Sequence, residues 1–69
     1  MAVNKQREWH PAFEEYCEAI FELREDEVDV IQARIADRLE VSRPAVSEMI
    51  RRMEGAGLVE INSGVIRLL

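Results

Sequence analysis

A mainly α winged helix-turn-helix, three helices followed by a short β-hairpin wing, is the fold class this sequence predicts, on three observations. Two short segments, each with one apolar stripe at helical spacing, are separated only by Glu40, Val41 and Ser42, too few residues for anything but a turn. A longer amphipathic stretch precedes them. Behind them, β-branched residues stand on both sides of an Asn-Ser-Gly turn, the pattern of a hairpin. In that order the elements form the unit that presents a reading helix to the DNA major groove, backed by a wing.

Residues 1–10, MAVNKQREWH, carry no periodicity and are expected to be a flexible N-terminal segment, with Trp9 folding back onto the domain. His10 reads as an exposed side chain rather than a metal ligand. Residues 11–69 then form the winged-helix domain. Pro11 is expected to open the first helix, since its missing N–H costs nothing at that position. Phe13, Tyr16, Cys17, Ile20, Phe21 and Leu23 make a broad apolar face, and Glu14, Glu15, Glu18, Glu22 and Glu25 the opposite one. Within that face Cys17 reads as a small buried hydrophobe. Glu15 and Glu18 share a face near the helix start and can offer oxygen ligands to a divalent cation, or simply be solvated acids favoured by the helix dipole. The chain has no His or Cys at ligand spacing to complete a transition-metal site around them.

An acidic connector over residues 24–28 leads to the second helix, where Asp29 is expected as N-cap and Gln32 completes a capping box. Ile31, Ile35 and Leu39 form its stripe, Ala36 lets the next helix cross closely, and Val41 is expected to plug the angle between them. Ser42 is the natural N-cap of the third helix, with Pro44 in its first turn. At about 100° per residue, the stripe of Val46, Met49, Ile50 and Met53 leaves Pro44, Glu48 and Arg51 opposite, flanked by Ser47 and Arg52. Gly55 and Gly57 end this helix by supplying the left-handed residue a C-terminus favours. Residues 58–61 and 65–69 are the hairpin strands. Arg67 reads equally as a phosphate contact or a solvent-facing strand residue.

Sixty-nine residues make one small domain, which buries only about 60% of its unfolded surface and is expected to lean on a neighbouring domain or partner chain. The net charge of −5 argues against a nucleic-acid partner until it is located. Residues 14–29 hold eight acids against Arg24, whereas residues 32–52 hold five arginines against Asp37, Glu40 and Glu48. The proposed reading unit is thus the basic part of a polarised chain, though a net +2 implies feeble, strongly salt-dependent binding by one copy. No stretch approaches a membrane span, the N-terminus is too polar for a secretory signal, and a lone cysteine fits a reducing compartment, so the expected location is cytoplasmic. One His, one Cys and no glycine-rich phosphate loop leave no catalytic constellation, and no enzymatic activity is expected.

The motifs EEYCEAIFEL and ARIADRLEVSRPAVSEMIRRMEGAGLV, with the short hairpin behind them, cover nearly the whole chain from Phe13 onward. On them the chain resembles the N-terminal DNA-binding domain of the diphtheria toxin repressor family, the iron- and manganese-dependent bacterial regulators. The resemblance implies a repressor of metal-uptake genes that binds double-stranded, palindromic operator DNA as a homodimer when Mn(II) or Fe(II) is bound. It implies DNA contacts from Ser42, Pro44, Ala45, Ser47, Glu48 and Arg52, and backbone contacts from Gln32, Ala33 and Arg34; Arg43 and Arg51, on the same basic helix, are expected to join the DNA contacts on their own charge and position. At the place of Glu48 the iron-type members carry Gln; a carboxylate can only accept, which suits a cytosine N4 amine and puts the base preference in question. Glu15-Tyr16-Cys17-Glu18 matches the acid-Tyr-x-Glu pattern of the manganese-type members, where the iron-type members place Met at the Glu15 position. Glu15 and Glu18 are thereby implied as part of a metal site, tilted toward Mn(II) by hard carboxylate oxygens. The family's remaining ligands and dimer interface lie beyond the wing, so this chain reads as a DNA-binding fragment or truncated member that holds no metal stably by itself. The rival reading is a winged-helix protein-interaction module without DNA binding, favoured by the acidity of residues 14–29.

Overall fold

The computed structural model describes residues 10–69; the expected flexible segment, apart from His10, and the placement of Trp9 lie outside the described residues. Helix α1 spans Phe13–Glu25, α2 Gln32–Leu39 and α3 Arg43–Gly55, and strands β1, Val59–Asn62, and β2, Val65–Leu68, follow. This is the expected winged helix-turn-helix. The core is apolar throughout and gathers Phe13, Ile20, Ile35, Val46, Ile50, Met53, Val59 and Ile66 from all five elements.

Helix α1 begins two residues later than Pro11 suggested. Pro11 and Ala12 form a turn in which the Phe13 N–H donates to the His10 carbonyl (2.9 Å). The Ala12 N–H donates to His10 Nδ1 (3.0 Å), so the half-buried imidazole caps this turn instead of standing free. Phe21 is a second correction: it is 52% exposed. The buried stripe of Phe13, Tyr16, Ala19, Ile20 and Leu23 centres on Tyr16, and five residues of helix carry Phe21 roughly 140° away from that centre. The small Ala19 occupies the buried place.

Helix α2 also starts late, and Asp29 does not cap it. Its N-cap is Ile31, in extended conformation and with no side-chain oxygen to offer. The cause lies one residue earlier. Buried Val30 runs beside the wing and its carbonyl accepts from the Ile66 N–H (2.8 Å), which keeps the backbone extended until Gln32. Gln32 is therefore the first helical residue, too early to close a capping box. Asp29 instead offers its carbonyl to Arg34 Nη1 (2.7 Å).

The turn between α2 and α3 is built by backbone. Glu40 sits in the left-handed region (φ 58), and the Val41 N–H donates to the Ala36 carbonyl (3.1 Å). The Val41 side chain is 38% exposed, so it does not plug the interhelical angle, while Ala36 is buried. Ser42 behaves as expected, its Oγ accepting from the Ala45 N–H (3.2 Å) with Pro44 in the first turn. At the far end Gly55 is an ordinary helical residue and Gly57 alone supplies the left-handed conformation (φ 78). There the Leu58 N–H returns to the Met53 carbonyl (2.9 Å) and the Gly57 N–H to that of Glu54 (3.0 Å).

All three helices end with this αL device, but only α3 uses glycine. Glu27 (φ 62) serves α1, with its N–H on the Arg24 carbonyl (2.9 Å), and Glu40 serves α2. A non-glycine residue in this region costs about 1–2 kcal/mol, partly offset by the entropy glycine loses on folding. Glu27→Gly is therefore expected to stabilise the domain by about 0.5–1 kcal/mol, seen as a rise of several degrees in the thermal midpoint. An unchanged or lower midpoint would remove the strain assigned to Glu27.

The wing is a two-residue hairpin in which Val59 faces Leu68 and Asn62 faces Val65. Ser63 (φ 51) and Gly64 (φ 81) both have positive φ, the type I′ geometry that matches strand twist. Met53, Val59 and Ile66 seat the wing in the core.

Candidate nucleic-acid interface

On α3 the packing of Val46, Ile50 and Met53 against the core decides which residues face outward. Arg43, Pro44, Ala45, Glu48, Arg51 and Arg52 are exposed along the opposite edge, and Ser47 is half-buried at its margin. The predicted reading edge from Pro44 to Arg52 thus faces outward from the core. At the start of α2, Gln32 and Ala33 are half-buried and Arg34 is exposed. Ile31 offers no capping side chain, so the first turn of α2 has no side-chain cap, at an end where helix polarity favours anions.

Between these two elements and the wing runs a groove of about 410 Å³ lined by Ile31, Gln32, Ala33, Arg43, Ile61, Gly64 and Ile66. It brings together Gln32, Ala33 and Arg43, three of the predicted residues, from two helices. The wing's share, Ile61, Gly64 and Ile66, is absent from the sequence reading. Alternation marks these residues as strand or turn, but only the seating of the wing beside α2 puts them against Arg43.

Charge on this face is largely paired. Glu48 takes two arginines of its own helix: Arg51 Nη1 donates to Oε1 (2.9 Å) and Arg52 Nε to Oε2 (3.2 Å). Arg38 spans to α1, reaching Glu22 Oε1 (2.9 Å) and Asp26 Oδ2 (3.1 Å). Across the wing Arg67 pairs with Glu60, its Nε donating at 2.9 Å, so it is not a free phosphate ligand. Such exposed pairs add little stability, but they determine which cations are available. Among the described residues, Arg43 and Arg24 are the arginines in no ion pair or side-chain hydrogen bond, and Arg43 is the one that lines the groove.

Glu15 and Glu18 are exposed on α1, one turn apart. Among the described residues no group of three or more His, Cys, Asp or Glu side chains converges to hold a metal ion. Two carboxylates do not fill the coordination of Mn(II) or Fe(II), so these residues alone do not make a metal centre. Cys17, between them in sequence, is half-buried; burial, and then the charge of Glu14, push its thiol above the ordinary range and keep it protonated. Burial and then Glu15 likewise raise the Tyr16 phenol. A protonated thiol is a poor metal ligand. No helix among the described residues is long and apolar enough to cross a membrane.

Comparison with known proteins bears on the same residues. The profile of the family described as iron dependent repressor, N-terminal DNA binding domain, matches residues 9–63. The chain is 50% identical over 50 residues to the diphtheria toxin repressor of Corynebacterium diphtheriae, a match covering 72% of this chain and 22% of that protein. It is 46% identical over 48 residues to the iron-dependent repressor of Mycobacterium leprae, covering 70% of this chain and 21% of that protein. The iron-dependent repressor of Mycobacterium tuberculosis is 44% identical over 48 residues, with 70% of this chain and 21% of that protein covered. The chain thus spans about a fifth of the length of these relatives.

Proposed function

The chain belongs to the iron dependent repressor family as its N-terminal DNA-binding domain, and from that premise we propose that it binds double-stranded operator DNA with α3 in the major groove. Ser42, Pro44, Ala45, Ser47 and Glu48 meet base edges, and Arg43, Arg51 and Arg52 sit toward the phosphates. Gln32, Ala33 and Arg34 meet the adjoining backbone, whose phosphates pass along the groove beside the wing. The observation that carries this reading is the outward edge of α3 itself. A row of exposed side chains on a capped helix, Pro44, Glu48, Arg51 and Arg52 among them, sits beside Arg43, a cation in no ion pair at the rim of a largely apolar groove.

In the intact regulator the same domain works as one half of a homodimer. Two copies place their α3 helices about 34 Å apart, one turn of a palindromic duplex. Repression there would depend on Mn(II) or Fe(II), a hard cation suited to oxygen donors. Glu15 and Glu18 would supply two of its oxygen donors, and the remaining ligands come from other residues of the full regulator.

Titrating a labelled duplex with the chain across a range of salt concentrations tests the reading. Binding should be measurable at low salt and fall steeply as salt rises, because it rests on neutralised phosphates. A protein-interaction module docking through apolar surface would show no duplex binding and little response to salt. A chelator such as EDTA should leave the duplex affinity of this chain unchanged, since the donors present do not close a metal site. A loss of affinity on chelation, restored by Mn(II), would contradict that statement.

A further inference from the structure

We infer that Glu48 is the specificity-determining residue of α3, and that Arg51 and Arg52 hold and charge-compensate its carboxylate so that it selects a cytosine amine. The inference deepens the DNA-binding reading above and rests on it. Residues 48, 51 and 52 lie at i, i+3 and i+4, so their side chains share one face, the exposed one. Each carboxylate oxygen accepts one guanidinium bond, Oε1 from Arg51 (2.9 Å) and Oε2 from Arg52 (3.2 Å), and each keeps a further lone pair. The carboxylate is thereby fixed in orientation. The three side chains together carry +1, which lets an anion approach a phosphate-lined groove that would repel it alone.

An ionised carboxylate only accepts, so it needs an amine on the base edge. In the major groove guanine shows two acceptors and thymine an acceptor and a methyl group, leaving cytosine N4 and adenine N6. Adenine N6 lies between its own N7 and the O4 of thymine, two acceptors that oppose a carboxylate from both sides. Cytosine N4 has the guanine O6 on one side and only a C–H on the other. Cytosine is therefore the base that Glu48 selects. The guanidinium groups, each with N–H donors left over, add attraction toward the guanine paired with it.

The test has two readouts that move in opposite directions. Duplexes are selected from a library randomised over one half-site, and the chain and its Glu48→Gln and Arg51→Ala variants are titrated on the selected duplex and on one of unrelated sequence. The wild-type chain should select cytosine at one fixed step. Glu48→Gln should reduce the preference for cytosine at that step roughly ten-fold. It should also bind the unrelated duplex more tightly, because the face gains one positive charge, with the salt slope steepened by about 0.9. Arg51→Ala should narrow the cytosine preference as well as the affinity, which an arginine acting only on phosphate would not do. Wild-type binding with no cytosine selected, or with the same preference in Glu48→Gln, overturns the inference while leaving DNA binding intact. Failure of the wild-type chain to bind any duplex overturns both.

Discussion

Replacing Ile35 with Ala is expected to remove a large part of the stability of the domain. Helix α2 has eight residues, too few to hold helical structure in water without tertiary support. Its buried residues are Ile35 and Ala36, and Ile35 is the only large one, completely removed from solvent. Truncating it loses the burial of its side chain and leaves a cavity where α2 meets the core, a combination that costs about 2–5 kcal/mol. A chain with sixty described residues is expected to be stable by roughly 3–9 kcal/mol in total. The change should therefore remove a large part of the stability, and with it the angle at which α2 holds α3. Circular dichroism and urea unfolding check it: helical signal should fall and the midpoint should move far toward zero denaturant. Val41→Ala provides the contrast, because Val41 is 38% exposed, and its midpoint should shift by less than about 0.5 kcal/mol equivalent. If the two variants behave alike, the assignment of Ile35 as the anchor of α2 fails.

That contrast also marks what could be read from the residues. Every element was legible, since helical stripes and a β-branched hairpin signal need only periodicity, and Ser42 capped as its chemistry demands because nothing competed for its oxygen. The errors fall where one part of the chain acts on another. Asp29 had the right chemistry for a cap, but pairing of Val30 with Ile66 held the backbone extended past it. Val41 was apolar and well placed in sequence, yet behind the left-handed Glu40 it is exposed. Phe21 was apolar and went to solvent because Ala19 fell nearer the centre of the buried stripe. The candidate site shows the same division. The outward edge of α3 follows from helical geometry alone, whereas the groove depends on where the wing comes to rest.

Arg43→Ala is expected to weaken duplex binding more than any other change on this face that leaves the fold intact. Arg34 is spent on the Asp29 carbonyl, Arg38 on Glu22 and Asp26, Arg51 and Arg52 on Glu48, and Arg67 on Glu60. Each must loosen or share an existing partner before it meets a phosphate in full strength. Arg43 has no such partner among the described residues and lies in the groove where α2, α3 and the wing converge. A charge-assisted hydrogen bond to an anion contributes about 1.5–3 kcal/mol, so the variant should bind about ten-fold or more weakly at low salt. Because phosphate carries no base identity, the loss should be equal for the selected and the unrelated duplex, with the salt slope reduced by about 0.9. Arg24→Ala is the control, removing the same charge from a side chain that is equally without an ion pair but lies on α1 outside the groove lining. It should change affinity only through the small long-range effect of net charge. Equal losses from both variants would mean that overall charge, and not the groove, governs the encounter. A loss from Arg43→Ala confined to one sequence would instead place that side chain on a base edge.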